Sequence, residues 1–116
     1  MAEIKKILGQ LAASATTSQT LYTVPESKGA VASTLVVCNR AASAKTFRVA
    51  VSYGGAVLSS TDYLYYDVSI PANETLTVTI GLTLSNADVV RTYASSADLT
   101  FSLFGVEFDQ ANVYMV

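Results

Sequence analysis

The groups that could do chemistry near neutral pH are few in this sequence. Cys38 is the single cysteine, and the chain has no histidine and no tryptophan. A nucleophilic cysteine needs a base to form its thiolate, and histidine is the usual base. Cys38 follows the apolar run at residues 35–37, where a free cysteine behaves as a small buried hydrophobe. We therefore predict a structural role for Cys38, without a disulfide inside the chain.

Other reactive constellations are also missing. A zinc site of the usual kinds needs several Cys or His ligands, and the sequence has no Asp-x-Asp-x-Asn-Gly calcium loop. The pair Gly54-Gly55 is far short of a phosphate-binding loop. Asp62 and Asp67 are candidates for a pair of catalytic carboxylates by their sequence numbers alone, and both read as strand-end or turn residues. We therefore expect no enzymatic activity, no cofactor and no metal.

The composition favours a protein that is covered by neighbours. Only 14% of the residues are charged, whereas 51% are hydrophobic, and about 25% charged residues is usual for a soluble domain. A free monomer normally stays soluble through interspersed charges of both signs. This composition predicts a structural or assembly protein. Nucleic acid is not an expected partner, because the net charge is −2 and the basic residues are scattered. They are Lys5, Lys6, Lys28, Arg40, Lys45, Arg48 and Arg91.

No segment predicts insertion into a membrane. No stretch approaches the roughly 18 consecutive apolar residues of a membrane-spanning helix. The apolar part of the N-terminal region is too short for the core of a secretory signal. We expect a chain made in a cytosol without processing.

Alternation with a period of two residues dominates the sequence. Phe47, Val49 and Val51 alternate with polar or small residues, and the same pattern recurs at 75–80. Further strands are predicted at 19–24, 32–39, 62–70, 89–94 and 99–108, separated by regularly spaced turns. This pattern predicts an all-β fold: an antiparallel β-sandwich of about eight strands, jelly-roll-like or Greek key. In the last strand, Gly105 predicts a bulge at which the inward-facing positions change phase.

The N-terminal segment, residues 1–13, allows three interpretations. Ile4, Ile7, Leu8 and Leu11 have the spacing of an amphipathic helix, but Gly9 disfavours one. An extra strand, or an arm that extends onto a neighbouring subunit, is equally compatible. The remaining residues, 14–116, are predicted to form a single β-sandwich domain.

A run of tyrosines is the best binding feature. Alternation places Tyr63, Tyr65 and Asp67 on one face of the predicted strand, with Leu64 and Tyr66 on the other. Tyrosine combines a large apolar area with a hydroxyl group, which suits subunit interfaces. One face could instead belong to the core, and stacking against a sugar is a further alternative.

Several phrases resemble a group of small tailed-phage proteins, especially those of phages of aquatic bacteria. The group is described as virion structural proteins. The resemblance runs from about residue 9 to residue 108. Its phrases are LYTVP (21–25), STLVVCNR (33–40), TFRVAV (46–51), YLYYD (63–67), IPANETL (70–76), GLTL (81–84) and DVVRTYAS (88–95).

The resemblance implies a location in the virion, after synthesis in the host cytoplasm, and brings no catalytic motif. It implies a head decoration or cement protein that stabilises capsid subunits, or else a tail, neck or baseplate component. The implied partners are further copies of the chain, as a trimer, and major capsid or tail proteins. For such a role, the residues expected to anchor the arm are Ile4, Ile7, Leu8 and Leu11. The residues expected at a subunit contact are Tyr63 and Tyr65. The alternative from another class is a carbohydrate-binding module for host adhesion.

Overall fold

The chain forms a sandwich of two antiparallel sheets. A computed structural model describes residues 3–109. The strands are β1 (Glu3–Ala12), β2 (Gln19–Thr23), β3 (Lys28–Asn39), β4 (Lys45–Ser52), β5 (Tyr63–Ile70), β6 (Thr75–Leu84), β7 (Val89–Ala94) and β8 (Leu99–Asp109). The first sheet has the order β1-β8-β3-β6 and the second has the order β2-β7-β4-β5. The prediction of an antiparallel β-sandwich of about eight strands is confirmed.

The pairing joins the first half of the chain to the second. β1 pairs with β8, β2 with β7, β3 with β6 and β4 with β5, all antiparallel. Two single-turn 3₁₀ helices, Tyr53–Gly55 and Ser60–Asp62, lie between β4 and β5. Within residues 3–109, no helix is long and apolar enough to cross a membrane.

The core lies between the two sheets and is filled by the inward-facing side chains of both. Phe47 of β4 and Phe101 of β8 are fully buried, and their rings meet edge to face across the sandwich with centroids 6.1 Å apart. Leu35, Val49 and Leu103 are also fully buried. Burying a side chain of this size stabilises the fold by about 1.5–3 kcal/mol. The alternation of apolar side chains on these strands therefore determines which face of each sheet lies against the other.

The N-terminal segment is neither a helix nor a detached arm, because Glu3–Ala12 forms β1 at the edge of the first sheet. The register with β8 shifts between Ile7 and Gly9, so that Leu8 is the extra residue of a β-bulge. The bulge turns Leu8 into the core, where its side chain is 8% exposed. The apolar residues have helical spacing because the inward-facing and outward-facing positions of this strand exchange once, at the bulge.

β8 does not change phase at Gly105, contrary to the sequence-based expectation. Gly105 opposes the buried Ala32, and Glu107 opposes the buried Ala30, so both continue the inward-facing row. The bulges lie on the neighbouring strands instead, at Leu8 and at Ser33. Glu107 is accommodated at an inward position, where Tyr22 of β2 and Lys6 of β1 donate hydrogen bonds to its carboxylate.

Asn39 fixes the loops at one end of the sandwich. Its side chain is 1% exposed, and its amide nitrogen donates to the carbonyls of Ser43, Ile70 and Pro71 at 3.0–3.1 Å. Its amide oxygen accepts a hydrogen bond of 2.9 Å from the backbone N–H of Ala41. One buried amide therefore ties the β3–β4 loop to the end of β5.

Candidate interaction surfaces

The outer face of the second sheet carries a cationic side chain between two aromatic rings. The guanidinium carbon of Arg48, on β4, lies 4.1 Å from the ring centroid of Tyr66 and 4.2 Å from that of Tyr93. Tyr93 lies directly opposite Arg48 on β7. Both distances are within the range of cation–π attraction. This contact holds the three side chains in a defined arrangement.

A β-bulge on β5 brings Tyr66 to this face. Phe47 pairs with Val68 and Val49 pairs with Tyr65, so Tyr66 and Asp67 together oppose the single residue Arg48. Asp67 has the positive φ of 52° and accepts a 2.7 Å hydrogen bond from Nε of Arg48. This hydrogen bond raises the pKa of Arg48 above its ordinary value, and the guanidinium and the Asp67 carboxylate form an ion pair within the site.

Tyr63 completes what we name the Tyr–Arg surface: Arg48, Tyr63, Tyr66 and Tyr93. The rings of Tyr63 and Tyr66 meet edge to face, with centroids 5.0 Å apart. Tyr63 lies opposite Ala50 of β4, and Ala50 itself is only 1% exposed. The neighbouring Tyr66 is 57% exposed, so much of its ring faces outward. The surface therefore offers aromatic area to a partner without rearrangement.

Tyr65 does not share this surface with Tyr63, so the expected grouping of Tyr63, Tyr65 and Asp67 on one face is wrong. Tyr65 packs against the core, with its ring centroid 6.3 Å from that of Phe47. Irregularities in the pairing on both sides of Tyr65 break the alternation. A regular period of two residues cannot predict such breaks.

A second candidate, the apolar patch, lies on the outer face of the first sheet. We define it as Ile7, Val31, Phe104 and Val106. Ile7 opposes Phe104, and Val31 opposes Val106. Ile7 is 50% exposed and Val31 is 37% exposed. Lys5 and Lys6 line the same shallow depression, so a basic margin borders the patch.

The other predicted anchors are dispersed. Ile4 is 54% exposed and opposes Glu107 near one end of the sandwich. Leu11 is partly buried against the core, and Leu8 is inside it. Leu8 is therefore not available to a neighbouring subunit, because the bulge has turned it inward. Of the four N-terminal residues, the structure places only Ile7 in an apolar surface cluster.

The residues considered for chemistry have structural roles or face outward. Asp62 accepts a 2.9 Å hydrogen bond from the backbone N–H of Ser59 and closes the capping box of the second 3₁₀ helix. Cys38 opposes Thr75 on the first sheet and is partly exposed, so it does not belong to the core. Among residues 3–109, no three potential metal ligands cluster.

A buried polar cluster lies near one end of the sandwich. Glu107 is 7% exposed and accepts hydrogen bonds from the Tyr22 hydroxyl at 2.5 Å and from Nζ of Lys6 at 3.3 Å. Burial, followed by the bond to Glu107, raises the pKa of Tyr22 above its ordinary range. The bond from Tyr22 lowers the pKa of Glu107. These shifts keep Glu107 ionised and Tyr22 neutral, a stable structural arrangement.

Sequence reasoning missed Arg48, Tyr66 and Tyr93 as members of one surface. Each lies on a strand predicted from the sequence, so their exposure could have been anticipated. Their proximity depends on β4 lying between β5 and β7. Strand order is a non-local property, and no local pattern of residues indicates it.

Comparisons with known proteins give low similarity. No protein-family model and no curated protein sequence matches the chain. Two crystal structures of a pentameric capsid protein isolated from metagenomic phage sequences align with it. One is 17% identical, with a TM-score of 0.30, over 92% of this chain and 61% of that chain. The other is 16% identical, with a TM-score of 0.31, over 92% of this chain and 64% of that chain.

The chain thus spans less than two thirds of the length of either structure. At TM-scores this low, the alignments carry no argument about the function of this chain.

Proposed function

We propose that this protein is a non-enzymatic structural component of a tailed-phage virion, most simply a head decoration or cement protein that binds neighbouring capsid subunits. The observation that carries the proposal is the Tyr–Arg surface. Tyrosine and arginine are enriched among the residues that contribute most to protein–protein binding. Tyr63, Tyr66 and Tyr93 surround Arg48 in a fixed arrangement, so binding would cost little side-chain entropy.

The strand order supports the same proposal. We infer that the sandwich is a jelly roll, because the orders β1-β8-β3-β6 and β2-β7-β4-β5 arise when a long antiparallel hairpin rolls up on itself. Jelly rolls occur in viral capsid proteins and also in lectins. A fold does not determine a function, so the sparse charge and the resemblance to phage virion proteins favour the first of these.

Position in the particle is tested by quantitative mass spectrometry of purified virions. A head decoration protein is expected at a copy number close to that of the major capsid protein. A copy number typical of a single ring would favour the neck or baseplate instead. Absence of the chain from virions would overturn the proposal. Binding of the purified chain to a glycan array, without binding to heads, would favour the carbohydrate-binding alternative.

The surface itself is tested with heads that lack the chain. The wild-type chain should bind them, and Tyr66→Ala should weaken binding about tenfold or more, as expected for an aromatic residue at the centre of an interface. Tyr53→Ala is the matched control, because Tyr53 is 84% exposed and lies outside the Tyr–Arg surface. Equal binding by both variants would exclude the Tyr–Arg surface as the contact.

A further inference from the structure

Four strands lie at sheet edges, and three of them are protected against pairing with another chain. β1 carries Glu3, Lys5 and Lys6 and has a bulge. β2 has only 5 residues, with a register shift, and β5 is bulged at Asp67. Charges, bulges and short length are the usual means by which an edge strand avoids edge-to-edge association.

β6 is the exception over most of its length, because its one irregularity lies between Thr79 and Leu82. It is 10 residues long, from Thr75 to Leu84, and contains no charged residue and no proline. Within residues 3–109, β3 is its one neighbouring strand, so the other side of β6 is an edge. Among the hydrogen bonds of the described residues, none beyond the ladder with β3 reaches this strand. Its outer edge thus presents unpaired backbone donors and acceptors, which form a template for another strand.

The sandwich is also open along this side. The inward-facing residues of β6 before Leu84 are only partly buried, although they pack against the core: Leu76, Val78, Ile80 and Leu82. On the opposite side, β1 and β2 approach so closely that a Cβ at Gly9 would lie 2.2 Å from the Leu21 carbonyl oxygen. A strand added beside β6 would therefore cover apolar area that the single chain leaves partly exposed.

We propose that β6 pairs antiparallel with β6 of a second copy, which joins two first sheets into one continuous sheet. A copy of this chain fits the edge because pairing β6 with itself brings no charge opposite another. It also places threonines opposite threonines on the outer face, which is a favourable cross-strand combination. The other edge strands are protected and fit less well.

The register is restricted by the geometry. Ile80 and Gly81 lie in the register shift with β3, and Gly81 has a φ of 58°, so regular pairing is available to Thr75–Thr79. Residues that oppose each other across an antiparallel pair must point to the same face. The two-fold axis therefore passes either between Thr77 and its own copy or between Val78 and its own copy.

This inference deepens the proposed function by naming one partner, and it rests on that function for the setting in which the pair acts. An isologous contact closes at two copies. The trimer implied by the resemblance would need a different contact. The pairing and the virion location are tested separately, because the pairing is measured on the purified chain and the location on particles.

The experiment measures the mass of the full chain by native mass spectrometry and analytical ultracentrifugation. Thr77→Lys should halve the mass found for the wild type, because it places like charges across the new pair. Gln10→Lys is the matched control, since it adds the same charge to an exposed position on the opposite edge strand, and it should leave the mass unchanged. Unchanged circular dichroism verifies that Thr77→Lys is folded.

Cross-linking provides a second measurement. In a Cys38→Ser background, Thr77→Cys should form an intermolecular disulfide if Thr77 lies on the axis. The double variant Thr77→Cys/Thr79→Cys should form an intermolecular disulfide if Val78 faces its own copy across the axis, because Thr77 of one copy then opposes Thr79 of the other. A monomeric wild type, a mass unaffected by Thr77→Lys, or failure of both cross-links would overturn the pairing. None of these results would bear on whether the chain is present in virions.

Discussion

The hydroxyl of Tyr22 donates a hydrogen bond of 2.5 Å to Oε2 of Glu107 and thereby joins the two sheets. Tyr22 is on β2 of the second sheet, and Glu107 is on β8 of the first. Lys6 on β1 donates to the other carboxylate oxygen at 3.3 Å. A buried carboxylate is tolerated only when it is paired and hydrogen-bonded, so these contacts fix the relative position of three strands.

We predict that Tyr22→Phe lowers the free energy of unfolding by about 1.5–3 kcal/mol, the usual contribution of a hydrogen bond to a charged group. The ring remains, so packing is preserved and the loss is that of the hydroxyl. Urea unfolding at neutral pH measures it. Tyr53→Phe, at a position 84% exposed, should change stability by less than about 0.5 kcal/mol. Equal stability of the two variants would contradict a stabilising role for this hydrogen bond.

The same pair predicts a dependence on pH. The pKa of Glu107 in the folded chain lies below its ordinary value of 4.5, mainly because of the bond from Tyr22. The stability contributed by ionised Glu107 is therefore fully present above pH 4.5 and is lost as the pH falls through the folded pKa. The difference between wild type and Tyr22→Phe should shrink over that acidic range. Urea unfolding across a pH series tests this, and a constant difference would contradict it.

Local patterns predicted the strands but not their irregularities. The alternation of Phe47, Val49 and Val51 indicates β4 because each of these side chains packs inward. Tyr66 was assigned to the wrong group because a bulge opposite Arg48 depends on the partner strand, which the sequence of β5 does not identify. Leu8 was misassigned for the same reason. Features that arise from pairing between distant segments thus escape a reading of one segment at a time.

We predict that Asn39→Asp destabilises the chain by about 3 kcal/mol or more, although the two side chains have the same shape. The amide nitrogen of Asn39 donates to three backbone carbonyls. An ionised aspartate has no donor, so these carbonyl oxygens would face a buried carboxylate oxygen. Thermal and urea unfolding measure the loss. Asn86→Asp, in an exposed loop, is the matched control and should be close to neutral.

We predict that Thr92→Val stabilises the chain. Thr92 is 2% exposed and opposes Val49 in the core, and its hydroxyl oxygen has no hydrogen-bond partner in the part of the chain that the structure describes. Valine replaces the hydroxyl with a methyl group of similar size, so about 1 kcal/mol should be gained. The melting temperature should rise by several degrees. Thr20→Val, at an exposed position on β2, should leave the melting temperature nearly unchanged. A lower melting temperature for Thr92→Val would mean that the Thr92 hydroxyl makes a stabilising hydrogen bond.

On the closed side of the sandwich, β1 lies against β2. A Cβ added at Gly9 would lie 2.2 Å from the backbone carbonyl oxygen of Leu21, and neither group can rotate away. Gly9→Ala should therefore force the two sheets apart and cost about 1–3 kcal/mol. Gly54→Ala is the comparison: nothing lies within 4 Å of its added Cβ, and only its φ of 61° opposes the change. If Gly9→Ala costs no more than Gly54→Ala, the contact between β1 and β2 relaxes easily and does not fix the separation of the two sheets.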